Sequence, residues 1–353
     1  LMTLRRWAAL RELKGKCKTF IELYSFFVIL YHFIYASGLL SWLGITIGGI
    51  HPAISVGLIL SILYLLFPYS KKTQQTGIPW YDWILAILCL IPTGYYALNY
   101  EMLLYSALTP TDFEVVLGVV MIILCIEGVR RAIGLPLVIC GLIFVIYPLV
   151  ANSLPGILFA APVKFRRLIG YIYLGSQGFF SAGAQVFSTT IITFVIFGQL
   201  IAISGGGVFF LNLSLSAMGG RNGGPAKAAT IGSGLFGMIS GVAVANVVTT
   251  GSITIPMMKR KGYSPEFAGA VETVASTGGA LMPPVMGALA FIMADYMGVP
   301  YWQIASAAII PAVLYYVAVY LQVSFYSSRH RLGGLSTEEI PAIKKVLAEG
   351  ASR

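Results

Sequence analysis

Residues 228–258 read AATIGSGLFGMISGVAVANVVTTGSITIPMM. Two apolar halves of about a dozen residues flank the small, polar centre Ser240-Gly241-Val242-Ala243-Val244-Ala245-Asn246, and neither half spans a hydrocarbon core that needs about 20 residues. As one helix, the segment would carry Lys227 and Lys259-Arg260-Lys261 to opposite faces of a bilayer. As a re-entrant hairpin it returns both basic ends to the cytoplasmic side, where Lys and Arg accumulate, and leaves the turn near the midplane. The hairpin is the expected reading.

The next segment, 264–298, is apolar but interrupted by Ser276-Thr277-Gly278-Gly279-Ala280-Leu281-Met282-Pro283-Pro284. Two prolines remove backbone donors and two glycines relax φ and ψ, so a helix is expected to unwind there. A hairpin turn and a broken helix then face each other at a depth where free carbonyls need partners. Carbonyl, hydroxyl and amide oxygens are hard ligands for a small cation, and helix N-termini attract an anionic substrate group. The pair therefore describes an ion-coupled transporter site.

The rest of the chain agrees with a membrane. Of 353 residues 58% are hydrophobic and only 10% charged, with mean hydropathy +0.84, far from the ~25% charged of a soluble chain. Apolar runs occur at 20–43, 52–69, 83–105, 114–129, 134–152, 184–204, 265–297 and 303–327, which makes eight spans. The net charge of +10 sits in short clusters between them, so it reads as a topology code rather than a nucleic-acid surface. The basic N-terminus (Arg5, Arg6, Arg11, Lys14, Lys16, Lys18), Lys71 and Lys72, and Arg130 and Arg131 fall on the cytoplasmic side, with Glu101, Asp112 and Glu114 outside. Lys164, Arg166 and Arg167 break the bias, and an interfacial amphipathic helix would account for them. The stretch 208–218 is too short to cross and is expected along the cytoplasmic interface.

Other residues have plainer readings. Cys17, Cys89, Cys125 and Cys140 are scattered and form no CxxC pair. Glu22 and Asp295 suit interface anchoring, Glu127 an ion pair with Arg130 and Arg131, and His32 a satisfied packing position. Trp42, Trp80, Trp83 and Trp302 lie near span ends as interfacial belts do. Glu272, one turn before Ser276, is open between structural hydrogen bonding and support of an ion site. Walker, GxSxG and HExxH sequences are missing, so neither an ATP-driven pump nor a membrane hydrolase is expected, and no enzyme activity or organic cofactor is.

Several motifs are familiar. Glu127-Gly128-Val129-Arg130-Arg131, Gly223-Gly224-Pro225-Ala226-Lys227, Gly237-Met238-Ile239-Ser240-Gly241, Ala245-Asn246-Val247-Val248-Thr249-Thr250-Gly251, Pro256-Met257-Met258-Lys259-Arg260, and Ala275-Ser276-Thr277-Gly278-Gly279 through Met282-Pro283-Pro284-Val285-Met286-Gly287 closely resemble the fused permease of TRAP transporters, the tripartite ATP-independent periplasmic family. The match is strong over 110–350, and 1–109 resembles the variable small-subunit-like part fused ahead of the large subunit. The resemblance implies an all-α, elevator-type sodium symporter in the inner membrane of a prokaryote. A soluble extracytoplasmic solute-binding protein would deliver a small organic anion, such as a C4-dicarboxylate or another carboxylate. It divides the chain into a basic N-terminus (1–19), small-subunit-like helices (20–109), the first half of the large subunit (110–327) and a cytoplasmic connector (328–353). One hairpin and one broken helix ordinarily belong to an inverted pair, so a missing second permease half is expected as a partner, along with membrane lipid.

On this basis Ser240, Gly241, Ala243, Asn246, Ser276, Thr277 and Gly279 are the expected sodium ligands, with Thr250, Glu272, Gly278, Met282, Pro283 and Pro284 supporting the ion or substrate. Two departures weaken the side-chain set: the family usually has a small hydroxyl residue where Val242 stands, and commonly Gln where Ala280 stands. Two other classes remain open. A non-transporting scaffold would need a separate second half, and a channel would need a continuous polar pore.

Overall fold

The computed structural model describes residues 11, 13–45, 47–70, 77–106 and 109–351. The topology signals expected at Arg5, Arg6, Lys71 and Lys72 lie outside the described residues. Among those described there is no strand, and five helical stretches are long and apolar enough to cross a membrane: Gly15–Ala36, Trp80–Leu98, Leu135–Ser153, Ala182–Ile203 and Tyr301–Arg329. The chain divides into two compact units, Leu1–Thr189 and Thr190–Arg353.

In the first unit the helices are α1 (Gly15–Ala36), α2 (Leu39–Trp42), α3 (His51–Leu66), α4 (Trp80–Leu98), α5 (Tyr100–Ser106), α6 (Asp112–Ala132), α7 (Leu135–Val150), α8 (Phe165–Tyr173) and α9 (Ala182–Val186). The single span expected over 83–105 is thus two pieces, α4 and α5, parted at Asn99. Thr111 and Glu114 cap α6 reciprocally, which fixes its start, and Arg130 and Arg131 close its last turn, where a helix dipole favours cations. Ala53, Tyr96, Leu117, Met121, Tyr173 and Phe180 form its main buried cluster. The basic segment after α7 does make a short amphipathic helix: Leu168, Ile169 and Tyr173 of α8 are buried, while Lys164, Arg166 and Arg167 are exposed.

Several buried polar side chains in this unit are paired. His32 makes contacts through Nδ1 to the Val28 carbonyl (2.8 Å) and through Nε2 to Ser55 Oγ (3.0 Å), the satisfied state expected of it. Glu127 accepts from Arg130 Nε (2.6 Å) and Arg131 Nε (2.7 Å), as the sequence suggests. Asp82, absent from the sequence reading, accepts from both Arg11 and Arg131.

In the second unit are α10 (Ile192–Ile203), α11 (Gly206–Met218), α12 (Gly224–Ser240), α13 (Ala243–Arg260), α14 (Pro265–Gly279), α15 (Ala288–Met297), α16 (Tyr301–Arg329) and α17 (Ile343–Ala351). The stretch 208–218 falls within α11, which packs on α12. Gly207 lies beside Thr249, Thr250 and Phe236, and Leu211 against Gly232, so α11 runs antiparallel along α12. Small residues on α12 let the two backbones approach, which is how helices associate without a hydrophobic drive between them. After α16 the chain returns as a strap. Leu335 N–H donates to the Gly219 carbonyl (2.8 Å), Gly223 N–H to Leu332 (3.1 Å) and Ser216 Oγ to Pro341 (2.6 Å). Lys261 binds Glu339 at 2.6 Å, and this bond with those from Ser336 holds the exposed Glu339 carboxyl down at about 2.

Candidate functional site

The helical hairpin forms, and its turn is tighter than the seven-residue centre suggests. Helix α12 runs through Ser240, only Gly241 and Val242 make the turn, and Ala243 already begins α13. Gly241 is left-handed (φ 63°), and a Cβ there would stand 2.2 Å from the carbonyl oxygen of Met286, so the position admits no side chain. The break also starts later than expected: α14 remains helical through Gly279, and the irregular segment is 280–287. Ser264 caps α14 by accepting from Phe267 N–H (3.2 Å), with Pro265 at the first helical position.

Hairpin and break touch through backbone. Gly237 and Gly279 cross so closely that a Cβ on Gly279 would lie 2.5 Å from the Gly237 Cα. Val285 N–H donates to the Met238 carbonyl (3.2 Å), and Gly287 N–H to Ala280 (2.7 Å). The C-terminal ends of α12 and α14 therefore converge, bringing together the negative ends of two dipoles. Helices α13 and α15 begin at the same turn and break, with no side chain capping either N-terminus.

We expect Gly279→Ala to cost about 1–3 kcal/mol, because the obstacle is backbone that cannot turn aside. Gly269→Ala on the same helix, where a Cβ would meet nothing within 4 Å, is the control. Thermal unfolding of the detergent-solubilised variants tests this, and equal midpoints for the two would refute the tight crossing.

A hydroxyl cluster lies beside the crossing. Glu272, with 0% exposure, accepts from Thr250 Oγ1 (2.5 Å) and Thr254 Oγ1 (2.5 Å) on α13, Ser233 Oγ (3.0 Å) on α12 and Ser276 Oγ (3.3 Å) on its own helix. A desolvated carboxylate is costly unless hydrogen-bonded, and here hydroxyls from three helices meet that need. Asn246 Nδ2 donates to the Ser233 carbonyl (2.8 Å), and Thr250 Oγ1 lies 3.1 Å from Asn246 Oδ1.

The expected ligands thus divide. Ser240, Gly241, Ala243 and Asn246 gather at the hairpin tip, with Gly279 across from Gly237. Ser240 Oγ is buried with no hydrogen-bond partner among the described residues. Ser276 turns into the Glu272 cluster, at 2.8 Å from Ser233 Oγ. Thr277 is not brought to the tip: it is exposed and donates to the Thr273 carbonyl (2.8 Å). Gly278 packs against the rings of Tyr315 and Tyr316. Met282, Pro283 and Pro284 lie in the break, where Tyr301 Oη donates to the Pro284 carbonyl (3.1 Å). Val242 is exposed and offers no ligand beyond its backbone. Ser233 and Thr254 escaped the sequence reading, although Thr250/Thr254 and Glu272/Ser276 are both i,i+4 pairs and so share helix faces.

Residues 119–353 match the family described as the tripartite ATP-independent periplasmic transporter, DctM component. Among curated proteins, the chain is 28% identical over 137 residues to the uncharacterized protein YgiK of Salmonella typhimurium, covering 39% of this chain and 31% of that protein. It is 34% identical over 110 residues to the C4-dicarboxylate TRAP transporter large permease protein DctM of Vibrio cholerae, covering 31% and 24%. It is 32% identical over 162 residues to the isethionate TRAP transporter permease protein DctMQ of Oleidesulfovibrio alaskensis, covering 45% and 22%. The matched segments span under two-fifths of the length of each of these relatives.

Proposed function

Because this chain belongs to the DctM component family of tripartite ATP-independent periplasmic transporters, we propose that it is membrane permease machinery importing a small organic anion with sodium. The observation that carries the sodium reading is the buried, partnerless hydroxyl of Ser240 at the converging C-termini of α12 and α14. An orphaned buried oxygen is costly, and beside two negative helix ends it suits a cation better than a neutral ligand. The uncapped starts of α13 and α15 favour an anionic group, in keeping with a carboxylate substrate. An extracytoplasmic binding protein delivers that substrate. The hairpin and α14, tied together by Glu272, move as one body during transport.

The reading is tested in proteoliposomes holding the complete transporter, with its binding protein supplied outside. An inward sodium gradient should drive accumulation that stops when choline replaces sodium. Accumulation that persists in choline and collapses with a protonophore would replace sodium by protons as the coupling ion.

A further inference from the structure

The single hydroxyl hydrogen of Thr250 has four acceptors within reach. They are Glu272 Oε1 at 2.5 Å, the Asn246 carbonyl at 3.0 Å, Asn246 Oδ1 at 3.1 Å and Ser233 Oγ at 3.4 Å. The first is both nearest and a carboxylate oxygen, so it takes the hydrogen. Asn246 cannot flip in response, because its Nδ2 is held by the Ser233 carbonyl, a group that only accepts. With Thr250 turned to Glu272, Asn246 Oδ1 has no hydrogen pointing at it from any described residue. Asn246 is itself fully buried and sits at the helix crossing, its Nδ2 only 2.8 Å from where a Cβ on Gly237 would be.

We propose that Glu272 is a positioning residue for sodium: it draws the Thr250 hydroxyl hydrogen away from Asn246, leaving the Asn246 side-chain oxygen bare for the cation. The inference rests on the sodium reading above and deepens it. Glu272 touches no ion in this scheme. It sets the direction of one hydroxyl, and that direction decides whether Asn246 meets the site as a free ligand or as one already covered by a proton. Without an acceptor at position 272, the Thr250 hydrogen turns back onto Asn246, where the carbonyl at 3.0 Å and Oδ1 at 3.1 Å compete for it.

Three substitutions separate this role from a packing role and from a charge role. Glu272→Met keeps an unbranched chain of similar size and removes the acceptor, so sodium affinity should fall on the order of tenfold. Glu272→Gln keeps a carbonyl oxygen for Thr250 and turns its amide to Thr254, so affinity should stay within about threefold of the unsubstituted protein. Adding Thr250→Val to Glu272→Met deletes the covering hydrogen and should recover most of the lost affinity. The measurement is the heat of titrating sodium chloride into the detergent-solubilised chain, with choline chloride as blank.

Recovery in the double variant supports the proposal, since a residue that served packing alone would give a worse double variant. A Gln variant as weak as the Met variant overturns it in favour of a bare charge effect, and an unimpaired Met variant overturns it outright. If Glu272→Met does not fold, Thr250→Val alone decides: affinity within about threefold supports the proposal, and a tenfold loss makes Thr250 a ligand and overturns it. No sodium heat in the unsubstituted chain overturns the sodium reading itself, an outcome distinct from all of these.

Discussion

Replacing Asp82 with alanine should destabilise the first unit by about 3–5 kcal/mol, the cost of stripping one partner from a buried charge network. Asp82 lies in the first turn of α4 and is shared. One oxygen takes Arg11, the other takes Arg131 Nη1 at 2.6 Å, and all three side chains are at most 1% exposed. Arg131 would keep Glu127 and the ring of Tyr64, but among the described residues the guanidinium of Arg11, whose Nε already lacks a partner there, would keep only the Leu65 carbonyl. The surface pair Arg166–Asp112 provides the contrast. Asp112 is 99% exposed there, so Asp112→Ala should change stability by no more than about 1 kcal/mol. Unfolding of both variants in detergent measures the difference, and a cost below 1 kcal/mol at Asp82 would mean that water reaches the network.

The largest expected effect on ion binding is that of Asn246→Ala. Sodium affinity should drop at least about tenfold, because the substitution removes the side-chain oxygen at the hairpin tip. It also removes the side-chain donor from the Ser233 carbonyl, which lies inside the α12 ladder, at a further cost of about 0.5–1.5 kcal/mol in local stability. The two consequences have separate readouts, sodium titration for the first and thermal unfolding for the second. A variant that melts earlier yet binds sodium with unchanged affinity would reduce Asn246 to a structural bond between the two hairpin arms.

The hairpin and the broken helix were legible because length and charge are arithmetic: a dozen apolar residues cannot cross, and Lys227 and Lys259–Lys261 demand one side. Their exact edges were not. Ala243-Val244-Ala245-Asn246 contains no helix breaker, so α13 resumes at once after Gly241 and Val242. Thr273 and Thr277 both bond back one turn along α14, and the helix persists across residues that composition marks as loose. Ser276 and Thr277 look equivalent as text, yet the ~100° turn between adjacent residues buries one and exposes the other. The pairing of Arg131 with Asp82, 49 positions apart, leaves no periodic trace at all. Nor does the text of 208–218 show that small residues on α12 admit α11 alongside.

The strap after α16 has a mechanical consequence. Main-chain groups of Leu332 and Leu335 are stitched to the loop that opens the hairpin, the Pro341 carbonyl to Ser216 on α11, and Glu339 is pinned to the end of α13. A pull or push on residues 332–341 is therefore delivered straight to the base of the hairpin, without having to be relayed through packed side chains. The segment acts as a push-rod rather than a slack cord.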